Sequence, residues 1–346
     1  MTTSRLTRRE AIGSLATLAG SALVSQAVMA DDPARPIRIG IIGLDTSHVI
    51  TFTKLINRDD PDDRLKQVKI AAAFPAGNPD FPLSRDRVKG YTAEMGKMGV
   101  DIVESIEALL EKVDVVMLES VDGSQHLEQV KPVFKARKPT FIDKPIAASL
   151  ADVVAIDKLA REHKVAWFSA SSSRFTEGYP ELRNNTQIGN ILGCDTYSQS
   201  RAAPHHPDLY WYGVHGVDLL YSILGCGCLS VTAVQTKYTE QVTGTWSDGR
   251  VGTFRAIREH TGQTGLGASV FGTKRIVQIN NYYNYVPLVV EVAKFFTTGK
   301  SPIVPEEMVE VFAFMEAAEE SKRQGGAPVL LKDVLSKAGA VEKKQE

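Results

Sequence analysis

The sequence predicts an α/β protein in two parts, a doubly wound parallel sheet followed by an α+β part built on a mainly antiparallel sheet. Three observations predict it. A length of 346 residues suits two cores better than one. From Pro36 onward, short Val- and Ile-rich runs alternate with helical patterns, the rhythm of successive βαβ units. After Ser172 that rhythm gives way to longer strand-like stretches joined by Gly-containing turns, with Ser247-Asp248-Gly249 as a hairpin signal.

In the first part, strands are predicted over 37–42, 68–74, 113–118, 139–142 and 165–169, with a short extended piece near Asp101. Helices are predicted over 48–57, around 85–97, over 105–112 with Ser105 as the cap, over 126–138 and over 150–163. Six strands with crossovers make a Rossmann-type domain over 36–150, its sixth strand lying near 165–169. Such sheets bind ligands beyond the carboxyl ends of their strands. The second part, 151–335, is predicted to carry strands over 229–238, 250–257 and 269–279 and closing helices over 286–297 and 305–323, as a substrate and oligomerisation domain. Residues 336–346 read as a fraying tail.

Residues 1–30 read as a targeting segment. Arg8-Arg9 precedes a weakly apolar Ala/Gly/Ser-rich run from Ala11 to Val24, and Val28-Met29-Ala30 offers a cleavage site before Asp31. That twin-arginine pattern predicts export to the periplasm or beyond, with no membrane association after cleavage. The composition, 43% apolar and 23% charged with a net charge of −1, is that of a soluble globular protein. It supplies no basic patch for nucleic acid. Three cysteines, Cys194, Cys226 and Cys228, are too few for a disulfide framework and read as small buried hydrophobes. No metal site is expected, since adjacent histidines such as His205-His206 cannot easily share one tetrahedral ion.

The first strand ends in Gly43-Leu44-Asp45-Thr46-Ser47-His48, where a dinucleotide fold carries its G-x-G-x-x-G turn. Only the first glycine is present. Asp45 takes the second slot, where a carboxylate about 5 Å from a phosphate would cost roughly 3 kcal/mol at an effective dielectric near 20. The cost is escaped if Asp45 turns away to cap the helix or if the cofactor sits displaced; a capped turn with no ligand is the plain structural alternative. The second strand ends in Phe74-Pro75-Ala76-Gly77-Asn78, with no acid for ribose hydroxyls before Asp80. Glu119-Ser120 ends another strand and His126 opens the next helix. Asp143-Lys144-Pro145 ends the fifth strand, where a lysine pointing into the crevice would hold a reacting hydroxyl or carry a proton.

The run from Ser120 to Pro145, with His126, Lys138-Pro139 and Asp143-Lys144-Pro145, resembles the glucose-fructose oxidoreductase, inositol dehydrogenase and MocA-like family, in which the motif usually reads Glu-Lys-Pro. Ser173-Arg174-Phe175 is similar to the arginine motif after the sixth strand, Ile188-Gly189-Asn190-Ile191 to the turn entering the substrate domain, and His215-Gly216-Val217-Asp218 to the segment bearing the catalytic histidine. The resemblance covers about Ile37 to Arg323. Where the family often has an aspartate four residues before that histidine, this chain has Trp211.

The resemblance implies an oxidoreductase moving a hydride between NAD or NADP and a sugar, sugar acid or cyclitol, with Lys144 and His215 catalytic. Gly43, Asp45, Thr46, Ser47, His48, Ser120, His126 and Asp143 would lie around the cofactor. Arg174, His205, His206, Asp208, Tyr210 and Tyr212 are expected at the substrate. Independently of the family, the segment from His205 to Tyr212 combines aromatic faces for a pyranose ring with His and Asp for its hydroxyls, or else a helix start packed on the core behind a surface loop. A homo-oligomer formed through the open antiparallel sheet is expected. Two other classes stay open on the same scaffold: a non-redox lyase, hydratase or epimerase without a dinucleotide, and a carbohydrate-binding protein.

Overall fold

The first sheet takes its strands from the runs with the least polar interruption. A computed structural model describes residues 35–259, 265–281 and 284–340; the predicted signal segment and the last six residues lie outside the described residues. The strands are β1 Ile37–Ile42, β2 Val68–Phe74, β3 Asp101–Ile102, β4 Val115–Leu118, β5 Thr140–Ile142 and β6 Trp167–Phe168. They are parallel and ordered β3-β2-β1-β4-β5-β6. Every residue of β4 and β5 is buried, as expected for strands covered on both faces.

Helices α1 Ser47–Ile56, α2 Pro82–Lys97, α3 Ile106–Lys112, α4 His126–Lys135 and α5 Leu150–His163 make the crossovers. Thr46, Ser105 and Ser149 cap α1, α3 and α5 by accepting from backbone N–H groups in the first turn. Strand order reverses between β1 and β4, so the crevice opens over the first βα turn and the loops after β4 and β5.

The second sheet is mixed. Its elements are β7 Ile191–Gln199, α6 Asp208–Trp211, α7 Val214–Leu224, β8 Cys228–Gln235, β9 Thr239–Trp246, β10 Val251–Ile257, β11 Leu266–Gly272, β12 Ile276–Asn281, α8 Val286–Thr298, α9 Pro305–Arg323, β13 Val329–Leu330 and α10 Leu331–Lys337. The order is β12-β11-β7-β10-β9-β8-β13; β7 and β10 run parallel and every other neighbouring pair antiparallel. Residues alternate between buried and exposed along β9 and β10 because one sheet face packs on α7 and α9. Helix α9 also packs on α5, which ties this sheet to the first. Among the described residues no helix is long and apolar enough to cross a membrane.

Several expected boundaries move for physical reasons. The helix predicted over 126–138 stops at Lys135, because Arg137 turns left-handed ahead of Pro139. The strand predicted over 269–279 is a hairpin of β11 and β12, folded at Thr273-Lys274 with the Gly272 N–H donating to the Arg275 carbonyl. Strands β7 and β9 were not anticipated. Helix α10 runs two residues, Ser336 and Lys337, into the stretch assigned to the frayed tail. Cys226 is exposed, so only Cys194 and Cys228 behave as buried hydrophobes.

Gly216 lets α7 lie directly on the sheet, since a Cβ there would fall 2.1 Å from the Phe254 ring. Gly216→Ala is expected to destabilise the fold by about 1–3 kcal/mol through overpacking, read as a lowered midpoint in urea unfolding.

Candidate functional site at the carboxyl edge of the parallel sheet

The turn after β1 is shaped by close backbone approach. Gly43 has φ +92°, and a Cβ on it would lie 2.4 Å from the Ser120 nitrogen, so the first βα turn sits hard against the end of β4. Asp45 points inward. One carboxylate oxygen accepts from the Val121 N–H at 2.8 Å and the other from the Ser84 hydroxyl at 2.6 Å, leaving the residue 1% exposed. Burial pushes its carboxyl above the ordinary aspartate range, against the pull of these bonds. Asp45 therefore turns away from the crevice without capping α1; that role belongs to Thr46, which accepts from the His48 N–H. Ser47 is exposed at the helix start.

His48 stands in the third glycine position of the turn and reaches across the strand ends. Its Nδ1 lies 2.7 Å from the Asp143 carboxylate and its Nε2 lies 3.2 Å from the Tyr285 hydroxyl. Burial alone would raise the Asp143 carboxyl, but the His48 ring and the Lys144 ammonium outweigh it and hold the group below its usual value. Glu119, at the end of β4 between these two, is fully buried, and neither carboxyl oxygen has a hydrogen-bond partner among the described residues. Burial first, and the neighbouring Asp143 charge second, push its carboxyl well above the ordinary glutamate range. The sequence shows Glu119 as an acid directly after an all-apolar strand, which was the available signal for it.

Lys144 and His215 meet on the other side of the mouth. The Lys144 ammonium lies 5.4 Å from the Tyr212 ring centroid and 5.8 Å from that of Trp211, within cation–π range of both. Tyr212 in turn lies 5.5 Å from the His215 ring. His215 Nδ1 is 2.6 Å from the Ser171 hydroxyl. Burial, then the charges of Lys144 and His48, push His215 well below the ordinary histidine value, so the ring is neutral at pH 7. Asp218, one helical turn further along α7, accepts from the Ser171 N–H at 2.8 Å and so fixes the loop that presents that hydroxyl. Ser171 escaped the sequence reading because nothing marks one serine among Ser171, Ser172 and Ser173.

Most of the expected substrate contacts are spent on structure. Arg174 is buried, donating to Asp218 at 2.7 Å and to Glu307 at 2.6 Å. Tyr210 is fully buried, with its hydroxyl on Glu316 at 3.1 Å. Asp208 is paired with Arg258 at 2.9 Å. His205 contacts Asp122 at 3.0 Å, and His206 accepts from the Gly123 N–H at 3.1 Å, so this pair docks on the loop after β4. Asn78 joins Asp122 at 2.6 Å, and Phe81 lies beside both imidazoles. His126 is internal, its nitrogens on the carbonyls of Ser120 and Ile146 at 2.7 and 3.0 Å. Of that group only Tyr212 stands beside Lys144 and His215.

Replacing Arg174 by Met would leave the buried Asp218 without its guanidinium and Glu307 with the longer contact to Arg183 at 3.4 Å. The expected loss is about 3–5 kcal/mol of stability, seen in chemical denaturation.

Residues 37–171 match a family described as an oxidoreductase family with an NAD-binding Rossmann fold. Among solved structures, the chain is similar to scyllo-inositol dehydrogenase from Lactobacillus casei with bound NAD(H) and scyllo-inositol, at 16% identity and TM-score 0.69, over 86% of this chain and 100% of that one. It is similar to myo-inositol 2-dehydrogenase from Lactobacillus plantarum, at 15% identity and TM-score 0.69, over 86% and 99%. A third likeness is to GenD2 from gentamicin A biosynthesis in complex with NAD, at 15% identity and TM-score 0.68, over 86% and 96%. At these identities the likeness is one of fold.

Proposed function

We propose, on the premise that this chain belongs through residues 37–171 to the oxidoreductase family with an NAD-binding Rossmann fold, that it oxidises or reduces a secondary alcohol of a sugar, sugar acid or cyclitol. The observation that carries the reading is the meeting of Lys144, Tyr212 and a neutral His215 at the carboxyl edge of the sheet. The residues present fit a dinucleotide there. Gly43 keeps the first turn free of a side chain, Asp45 is turned inward, and the buried Ser120 hydroxyl lacks a partner among the described residues. Gly43 to Ser47 and Ser120 would hold the NAD(P), which when bound supplies or accepts the hydride.

The chain's own groups manage the proton. His215, neutral, is the base that takes the hydroxyl proton in the oxidative direction and returns it in reverse. Ser171 orients the ring through its hydroxyl at Nδ1. The Lys144 ammonium orients the reacting oxygen and stabilises negative charge as it develops there. Tyr212 and Trp211 offer aromatic faces beside it for the apolar side of a ring. Export by the twin-arginine route and assembly into a homo-oligomer belong to the same proposal, the former resting on Arg8-Arg9 and the latter on the exposed apolar residues Leu229, Val234, Tyr238 and Ile276 in and around the second sheet.

One observation favours a second reading, proton chemistry without a dinucleotide. His48 and Asp143 span the strand ends over which the cofactor would lie. Denaturing protein purified from cytoplasm and assaying released NAD(P) by absorbance and mass separates the two. No released dinucleotide, together with no binding of added NAD(P) by calorimetry, would sink the redox reading.

Two further outcomes are expected. His215→Asn lowers kcat by about a hundred- to ten-thousandfold while NAD(P) affinity is retained. Because the imidazolium is disfavoured in the fold, the base stays competent below pH 6.5, and the acid limb of kcat/KM lies below that value. An acid limb at or above 6.5 would remove His215 as the base.

A further inference from the structure

We propose that His48, Glu119 and Asp143 form a binding site for one divalent transition-metal ion of the Zn2+, Mn2+ or Fe2+ class beneath the crevice floor. The sequence alone argues against a metal, because its adjacent histidines are badly spaced; this site draws its three donors from three separate turns. One ligand atom from each residue lies within 4.8 Å of the others, and all three residues are buried. Glu119 is 0% exposed, and both its oxygens and the second oxygen of Asp143 have no partner among the described residues. Buried carboxylate oxygens without donors are costly, and a cation between them removes the cost.

The surroundings fit a ligand set. The donors sit in the first turn of α1 and at the first residues after β4 and β5, neighbouring strands of one sheet, which hold them close to fixed backbone. With Nδ1 as ligand, His48 Nε2–H would donate to the Tyr285 hydroxyl 3.2 Å away, the outer-shell bond that orients metal-bound imidazoles. The Asp143 and Asp45 carboxyls bear on Glu119 against the ammonium of Lys144. An imidazole with two carboxylates is a donor set of intermediate softness, which selects the ions named over Ca2+ or Cu+. Ligand atoms around a tetrahedral ion of this size are roughly 3.3 Å apart, so the 2.7 Å contact between His48 and Asp143 would open by about half an ångström on loading. Three protein ligands leave a further position for water or a substrate oxygen.

The alternative occupant of the gap is a proton held between the two carboxyls, and the experiment distinguishes them. Full-length protein is stripped with chelator, then titrated calorimetrically with ZnCl2 and with MnCl2, with bound metal counted by mass spectrometry after dialysis. One ion per chain and a melting temperature that rises with metal concentration are expected. Tyr285→Phe should weaken binding about 10- to 100-fold. Glu119→Gln should abolish the metal-dependent rise, while its metal-free form melts no lower than metal-free wild type, because an amide replaces an unpartnered buried carboxyl. A wild type that takes up neither ion nor Fe2+ under argon, or a Glu119→Gln protein that binds as tightly, overturns the site. Released NAD(P) is assayed separately, so failure here leaves the redox reading standing.

Discussion

Burying carboxylates at the open end of a parallel sheet is the constraint on which the rest of this structure turns. Every acid placed there must find a donor or lose its charge. Asp143 finds the His48 ring and the Lys144 ammonium and stays ionised. Asp45 finds a backbone N–H and a serine hydroxyl. Asp122 is gathered by Asn78, Ser124 and His205, which together outweigh its burial and hold it below the usual range. Glu119 alone among these four finds no hydrogen-bond partner among the described residues, and Asp143 and Asp45 both bear on it.

The same constraint joins the two halves of the molecule. Arg174, on the loop after β6, is held between Asp218 of α7 and Glu307 of α9, so one buried cation links the parallel sheet to both helices that back the second sheet. On the opposite side of the mouth, the loop leading to α6 lays His205 and His206 on Asp122 and Gly123. Ion pairs of this kind contribute little net stability against an apolar alternative, but breaking one partner is expensive. Their effect is to join the two halves from which Lys144 and His215 come.

The parallel sheet was legible because its strands are short, apolar and bounded by signals such as the Ser105 cap, which act within a few residues. The second sheet was less so. Strand β7 contains Gly193, Asp195 and Ser198 and reads as polar, yet it sits in the middle of its sheet, where pairing on both sides overrides propensity. The site divides in the same way. Lys144 and His215, which the fold brings to either side of Tyr212, stand in compact motifs. Arg174, Asp208 and Tyr210 looked equally functional by residue type, but their partners, at Glu307, Arg258 and Glu316, are distant in sequence. A polar side chain advertises chemistry whether it faces solvent, substrate or a buried counter-ion, and only the fold tells these apart.

The first βα turn shows what this sequence gave up and what it kept. A glycine in the second slot would have left backbone N–H groups open to a phosphate. Asp45 instead anchors the turn to the loop after β4 and to α2, so the turn is stiff before any ligand arrives. A glycine in the third slot would have let α1 lie close against the sheet. His48 puts an imidazole there and carries it to β5. Both changes move polar groups from the phosphate side of the crevice toward the reacting side. The Gly43 backbone and the start of α1 thus stay on one side of the crevice, while Glu119, Asp143 and Lys144 act on one another at the strand ends. How readily the His215 ring accepts a proton is set first by its burial and then by the charges of Lys144, His48 and Asp143, so the pairing of His48 with Asp143 bears on it directly.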